Sequence, residues 1–143
     1  AIATNGTHTD PITEKIGLGM PVRDSLAISM LALDYEKDDF NTPRVAAVVP
    51  RLGDTGWLAI VKKTGLIVEE VPLVVGQATY IATYEADNVR DTQVSDFDAN
   101  TATEAATFSV SGGVFAALEK PVTSAAALTD DAGFSLGTFV VEV

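Results

Sequence analysis

Two short polar stretches hold the residue types that can move a proton or bind an anion. The first is Asn5-Gly6-Thr7-His8-Thr9-Asp10, and the second runs from Asp34-Tyr35-Glu36-Lys37-Asp38-Asp39 to Asn41-Thr42-Pro43-Arg44. Glu36 is the group of most interest. It follows an apolar stripe that ends at Leu33, and it shares a predicted helix end with Asp34, Asp38 and Asp39. Like charges and the negative end of a helix dipole both disfavour a further carboxylate. The pattern therefore predicts a carboxyl with a raised pKa, suited to general acid or base work near neutral pH. A solvated acidic helix end with Lys37 beside it fits the same residues. Asn5, Asn41 and Thr42 are turn formers as well as hydrogen-bonding side chains, and Arg44 is either a surface charge or an anion clamp. Phosphate binding in so acidic a chain needs local donors, namely Arg44, Arg23 or the helix start at 10–13.

The rest of the composition narrows the chemistry. Nine basic against twenty acidic residues give a net charge of -11, a field that repels nucleic acid and anionic bilayers. With no cysteine, disulfides and thiolate zinc sites are excluded. His8 is the single histidine, so no site has two imidazole ligands, and a Ser-His-Asp triad would have to use His8. Ala1 has neither hydroxyl nor thiol to serve as an amino-terminal nucleophile. Gly17-Leu18-Gly19 lacks the third glycine and the preceding strand of a dinucleotide fingerprint. Asp34, Glu36 and Asp38 alternate like a calcium loop, but Asp39 stands at the glycine position and Val45 where the bidentate Glu belongs. No metal or other cofactor is expected.

These residues need a scaffold, and 143 residues suffice for a single domain over 1–143 that buries roughly 68–70% of its unfolded surface. A mean hydropathy of +0.24, with no apolar run near the roughly 18 residues of a membrane span, describes a soluble globular chain, and the absence of a signal-like segment points to the cytoplasm. The start Ala1-Ile2-Ala3, strand-like and without Met, reads as an entry in mid-fold, a processed chain or the later part of a longer one. Strand is predicted over 1–4, followed by a short helix capped by Asp10 with Pro11 in its first position and ended by Gly17 and Gly19. A longer helix is predicted over 22–38, with Val22, Leu26, Met30 (or Ser29) and Leu33 as its stripe and Ile28, Leu31 and Tyr35 widening it. Strands follow over 45–49, 57–62, 66–71 and 79–84 as an antiparallel meander. A polar connection covers 85–100. A helix over 101–111 is capped by Thr101, and strands are predicted over 114–118, 122–128 and 134–143. The result is α+β. Strands as apolar as 45–49 predict burial on both faces, hence two stacked sheets with helices outside.

The motifs Thr4-Asn5-Gly6-Thr7-His8-Thr9-Asp10, Ser29-Met30-Leu31-Ala32-Leu33-Asp34-Tyr35-Glu36-Lys37-Asp38 and Asn41-Thr42-Pro43-Arg44-Val45-Ala46-Ala47 resemble those of the archaeal-type IMP cyclohydrolases. Tyr80-Ile81-Ala82-Thr83-Tyr84-Glu85 and Pro121-Val122-Thr123-Ser124-Ala125-Ala126-Ala127 extend the resemblance along essentially the whole chain. It implies closure of the purine ring of 5-formamidoimidazole-4-carboxamide ribotide to IMP and water, without a cofactor. It implies a four-layer αββα sandwich resembling the amino-terminal-nucleophile (Ntn) hydrolase fold, used without the nucleophile. Glu36 falls on the family's active-site glutamate. Asn5, Gly6, Thr7, Asn41 and Thr42 fall on its substrate side, with Arg44 added as an anion ligand. The family begins well upstream, with strands, a phosphate-binding Arg-Ser region and an active-site tyrosine, so the expectation is the C-terminal portion of a longer domain. The expected partners are a small-molecule ribonucleotide and either further copies of the chain or the N-terminal segment. Two other readings fit the residues: a non-catalytic nucleotide-binding or structural module, and a hydrolase using His8.

Overall fold

A computed structural model describes residues 1–84, 86–88 and 94–142, which divide into two compact units. The first holds 2–73 and 79–93; the second holds 74–78 and 94–143 with residue 1. The architecture is α+β throughout, with helices and antiparallel sheets in the order predicted for most of the chain.

In the larger unit, β1 (Ile2–Thr4), β2 (Arg44–Val48), β3 (Thr55–Lys62) and β4 (Gly65–Pro72) form one antiparallel sheet in that spatial order. Ile2 lies opposite Val48, Arg44 opposite Val61, and Lys62 opposite Gly65. The side-chain period of two assigns each residue to a face. Ala46, Val48, Ala59 and Val61 meet Ile12 of α1 (Thr9–Gly17) and Leu26 and Met30 of α2 (Val22–Leu33) in one core. Leu58 and Ile60 point the other way, with Val45, Ala47, Ile67, Val71 and Ile81 packed around them. The strands are therefore apolar on both faces, as their sequences predict. Ile12, Leu26, Met30 and Ile60 are fully buried, each stabilising by about 1.5–3 kcal/mol.

The smaller unit sets α3 (Ala102–Ser111) on the hairpin of β7 (Thr123–Asp130) and β8 (Gly133–Val140). Thr101 and Glu104 form a reciprocal capping box at the start of α3, which satisfies two otherwise orphaned N–H groups. Gly137 permits the close approach, because a β-carbon there would lie 2.3 Å from the Ala102 carbonyl carbon. Phe108 stands edge-on to Phe97 and Phe115. A short β5 (Gln77–Thr79) pairs with β6 (Val94–Asp96).

Five expectations need correction. α1 starts at Thr9 with His8 as its N-cap, so Asp10 and Pro11 lie inside the first turn, where a missing N–H is equally harmless. α2 ends at Leu33 rather than 38, because Asp34 adopts φ 62° and ψ -177°. Four acids at the negative end of a helix dipole favour that break. Leu33 of the predicted stripe and the widening residues Ile28 and Leu31 are exposed; the face turned inward carries Leu26, Ser29 and Met30 as predicted, with Ser25 beside them. Residues 80–84 are irregular rather than strand, and Gly113–Ala117 is a 3₁₀ turn closed by Phe115 and Leu118 N–H groups. In both stretches β-branched and aromatic composition was outweighed by tertiary position. Glu85, part of the predicted connection and Val143 lie outside the described residues.

Candidate active site

The end of α2 builds the site. Asp34 lies in a backbone region that non-glycine residues enter at a cost of about 1–3 kcal/mol, and its carboxylate accepts the Tyr35 N–H at 2.9 Å and pairs with Lys37 at 3.1 Å. This sharp turn throws Tyr35 and Glu36 out of the helix. The following loop is folded around Asp38, which accepts from the N–H groups of Phe40 and Thr42 and from the Thr42 hydroxyl at 2.6 Å. The Glu36 N–H closes it on the Thr42 carbonyl at 2.9 Å, and Asn41 takes φ 50°, a conformation asparagine tolerates.

Arg44 opens β2 two residues before Ala46 and so falls on the helix-covered face. Its Nη2 donates to Glu36 Oε2, and its Nη1 donates to the Asn5 carbonyl at 2.7 Å. Arg44 is 21% exposed and Glu36 50%, so the cation is fixed while the carboxylate remains open to a ligand. Gly6 lies under the guanidinium. A β-carbon there would come within 3.2 Å of Arg44 Cδ, Nε and Cζ.

Asn5 is held by its own side chain. Its Oδ1 accepts the Val45 N–H at 2.9 Å, and its Nδ2 donates to the Pro43 carbonyl at 3.1 Å and the Thr83 hydroxyl at 3.2 Å. Both amide hydrogens are thereby committed to protein acceptors. Thr4 Oγ1 donates to the Gly6 carbonyl and meets Thr9 Oγ1 at 2.7 Å, fixing the turn into α1, while Thr7 is exposed in that turn.

Glu36, Arg44, Asn5, Gly6 and Thr42 are thus brought together, and Asn41 borders the adjoining cleft. The predicted crowding of carboxylates is corrected. Asp34 and Asp38 each have donors of their own, and both pKa values lie below the ordinary value: Asp34's through the Tyr35 N–H and then Lys37, Asp38's through the Thr42 hydroxyl and then its N–H. Glu36 faces a guanidinium instead of further acids.

His8 lies in the turn before α1, where it caps the helix, yet it is buried. It is 2% exposed, and neither imidazole nitrogen has a hydrogen-bond partner among the described residues. Burial lowers its pKa, with the Asp34 main chain opposing the shift and Arg44 adding to it. Sequence reasoning read Asp38 only as one of a crowd of acids and Tyr84 only as part of a family motif, and missed their contacts with Thr42. The Asp38-x-x-x-Thr42 spacing is a side-chain-to-backbone turn signal; nothing local marks Tyr84, whose hydroxyl lies 3.0 Å from Thr42 Oγ1. No group of three His, Cys, Asp or Glu side chains among the described residues is placed to hold a metal ion, and none of their helices is long and apolar enough to cross a membrane.

The site thus belongs to an α+β protein and consists of a half-open carboxylate–guanidinium pair set in polar loops. The chain belongs to the family of IMP cyclohydrolase-like proteins, whose model matches residues 1–133. It is 44% identical over 138 residues to the IMP cyclohydrolase of Methanococcus maripaludis strain C7, covering 96% of this chain and 66% of that protein. Identity is 44% over 139 residues to the IMP cyclohydrolase of Methanocella arvoryzae and 41% over 140 residues to that of Natronomonas pharaonis, in each case covering 97% of this chain and 65% of the relative. The chain thus spans just under two thirds of the length of these relatives.

Proposed function

We propose that this chain carries the catalytic carboxylate of an IMP cyclohydrolase, which closes 5-formamidoimidazole-4-carboxamide ribotide to IMP and water. The observation that supports this reading best is the Glu36–Arg44 pair, anchored on the Asn5 carbonyl over Gly6, in a chain similar to proteins of that name. Both reacting groups sit on one molecule, so the protein's task is to hold a near-attack geometry and manage protons. The carboxamide nitrogen attacks the formyl carbon and gives a proton to Glu36, held as a base by Arg44. The formyl oxygen then departs as water. Its two hydrogens come from the carboxamide nitrogen, by way of Glu36, and from the formamide N–H. Asn41, Thr42, Arg44 and the Asn5-Gly6-Thr7 turn line the substrate side. Because the Asn5 amide is committed elsewhere, Asn5 serves through its carbonyl grip on Arg44.

The finer fold assignment rests on the same footing. A four-stranded sheet with helices on one face and an apolar cluster on the other has the faces required by a layer of an αββα Ntn-hydrolase-like sandwich. A cytoplasmic address and association with further copies, or with the family's N-terminal segment, complete the proposal. The test is to follow IMP formation by the intact protein with a chelator present. Turnover is the expected outcome. A folded intact protein that binds IMP without forming it would overturn the reading in favour of a nucleotide-binding module.

A further inference from the structure

His8 carries a cost that folding alone does not require. It is buried, with neither imidazole nitrogen in a hydrogen bond among the described residues, and a polar group so placed destabilises the fold. Nor does the side chain serve the helix it opens. As N-cap of α1 it makes no capping bond, where Ser, Thr, Asp or Asn would accept an N–H. An apolar residue of similar volume would fill the position at lower cost, so the imidazole calls for another reason.

Three periodicities place it behind the Glu36–Arg44 pair. The His8 carbonyl accepts the Ile12 N–H at 3.2 Å, so His8 stands one turn before Ile12 on the face of α1 that enters the core. The Met30 carbonyl accepts the Asp34 N–H at 2.8 Å, so Asp34 stands one turn beyond Met30. Arg44 precedes Ala46 by two residues on the same sheet face and lies opposite Val61. Ile12, Met30, Ala46 and Val61 belong to one buried cluster. His8, Asp34 and Arg44 are therefore its next layer, at the end where α1 begins and α2 stops.

The titration of His8 reports the same neighbours. Burial lowers its pKa most, the Asp34 main chain opposes the fall as a carbonyl acceptor does, and the charge of Arg44 adds to it. The Asp34 main chain is thus close enough to act on the ring without closing a full hydrogen bond. Asp34 holds φ 62° and ψ -177°, and strain of that kind persists only where the surroundings over-determine it. Its N–H and carboxylate are engaged by Met30, Tyr35 and Lys37, and the imidazole bears on it from the core side. On the other flank Asn5, three residues before His8, grips Arg44 through its carbonyl.

Resting on the cyclohydrolase reading, we infer that His8 is a positioning residue: its neutral imidazole is a polar wedge between the break in α2 and the guanidinium, and it sets the turn that delivers Glu36 to Arg44. A neutral ring has one N–H to offer the Asp34 main chain and adds no charge beside Arg44. Leucine fills the volume and offers no N–H. Being buried, His8 acts through Asp34 and Arg44 rather than on the substrate.

The test compares the intact wild-type protein with His8→Leu, His8→Asn and His8→Gln at pH 7.5, the two amides placing a donor near one or the other ring nitrogen. Steady-state kinetics and nitrogen NMR of the Arg44 guanidinium are read on each, the Arg44 signals being assigned by their loss in Arg44→Lys. In wild type the two Nη groups have different acceptors and give separate signals. His8→Leu is expected to melt no lower than wild type, yet to merge those signals and to lower kcat roughly tenfold or more with a smaller change in KM, since a displacement of about 1 Å can lower a rate up to 10²-fold. One of the two amides restores both readouts. Wild-type guanidinium signals and kcat in a folded His8→Leu protein would overturn the inference, and so would Asn and Gln variants that are both no better than leucine. If His8→Leu does not fold, the amides decide: one with near-wild-type signals and turnover supports the role, and neither refutes it. The cyclohydrolase reading fails separately, through a wild type that forms no IMP, and the Arg44 signals then judge the positioning alone.

Discussion

A β-carbon on Gly6 would lie 3.2 Å from three atoms of the Arg44 side chain. Gly6 does not have a positive φ, so alanine is acceptable to the backbone and its methyl group acts on Arg44 alone. Displacing the guanidinium moves Glu36 with it. A misplacement of about 1 Å near reacting groups can lower a rate as much as 10²-fold. Gly6→Ala is expected to lower kcat by tens of fold with a nearly unchanged melting temperature. A wild-type kcat would detach the Arg44 geometry from catalysis.

Glu36→Gln keeps the shape of the side chain and removes its basicity. Because Glu36 is half exposed, the substitution should leave folding intact and lower kcat by roughly 10²- to 10⁴-fold, the range for a general acid or base. Turnover near wild type in steady-state assays would reduce Glu36 to a surface charge.

Asn5 joins three segments through one amide. Asn5→Ala deprives the Val45 N–H, the Pro43 carbonyl and the Thr83 hydroxyl of a partner. Leaving such groups unsatisfied costs about 1–3 kcal/mol. Chemical denaturation is expected to show that loss, and Asn5→Asp, which retains only the acceptor, should be intermediate or worse. Stability equal to wild type would mean that water replaces the amide.

His8 makes folding sensitive to mild acid. Its folded pKa is below the ordinary 6.5, so between the two values the unfolded chain binds more protons than the folded one. Stability is then full above about pH 6.5 and is lost as the pH falls toward the folded value, by at most about 1.4 kcal/mol per pH unit. Asp34 and Asp38, lowered from 3.8, act with the same sign in a more acidic window. Melting curves between about pH 7.5 and 5 should fall for wild type and flatten for His8→Leu. Parallel curves for both proteins would place the sensitivity elsewhere.

Much of this protein was legible without its tertiary structure. Local rules were enough for Thr101 as the cap of α3, for Gly17 and Gly19 as the stop of α1, and for the apolar periods of β2, β3 and β4, because each depends on neighbours within a turn or a pleat. Glu36, Arg44 and Asn5 were also singled out from residue type and position, and Gly6 through the family resemblance. What they do to one another was not readable. The sequence placed Glu36 on a helix among like charges. Tertiary structure broke that helix at Asp34 and turned the carboxylate onto Arg44, because a strand opposite Val61 carries the cation to that face. The burial of His8, the commitment of the Asn5 amide to Thr83 and the meeting of Thr42 with Tyr84 are likewise contacts between residues far apart in the chain, or between a residue and a core assembled elsewhere. Chain order carries no signal for such contacts, since they exist only once the sheet has set the register.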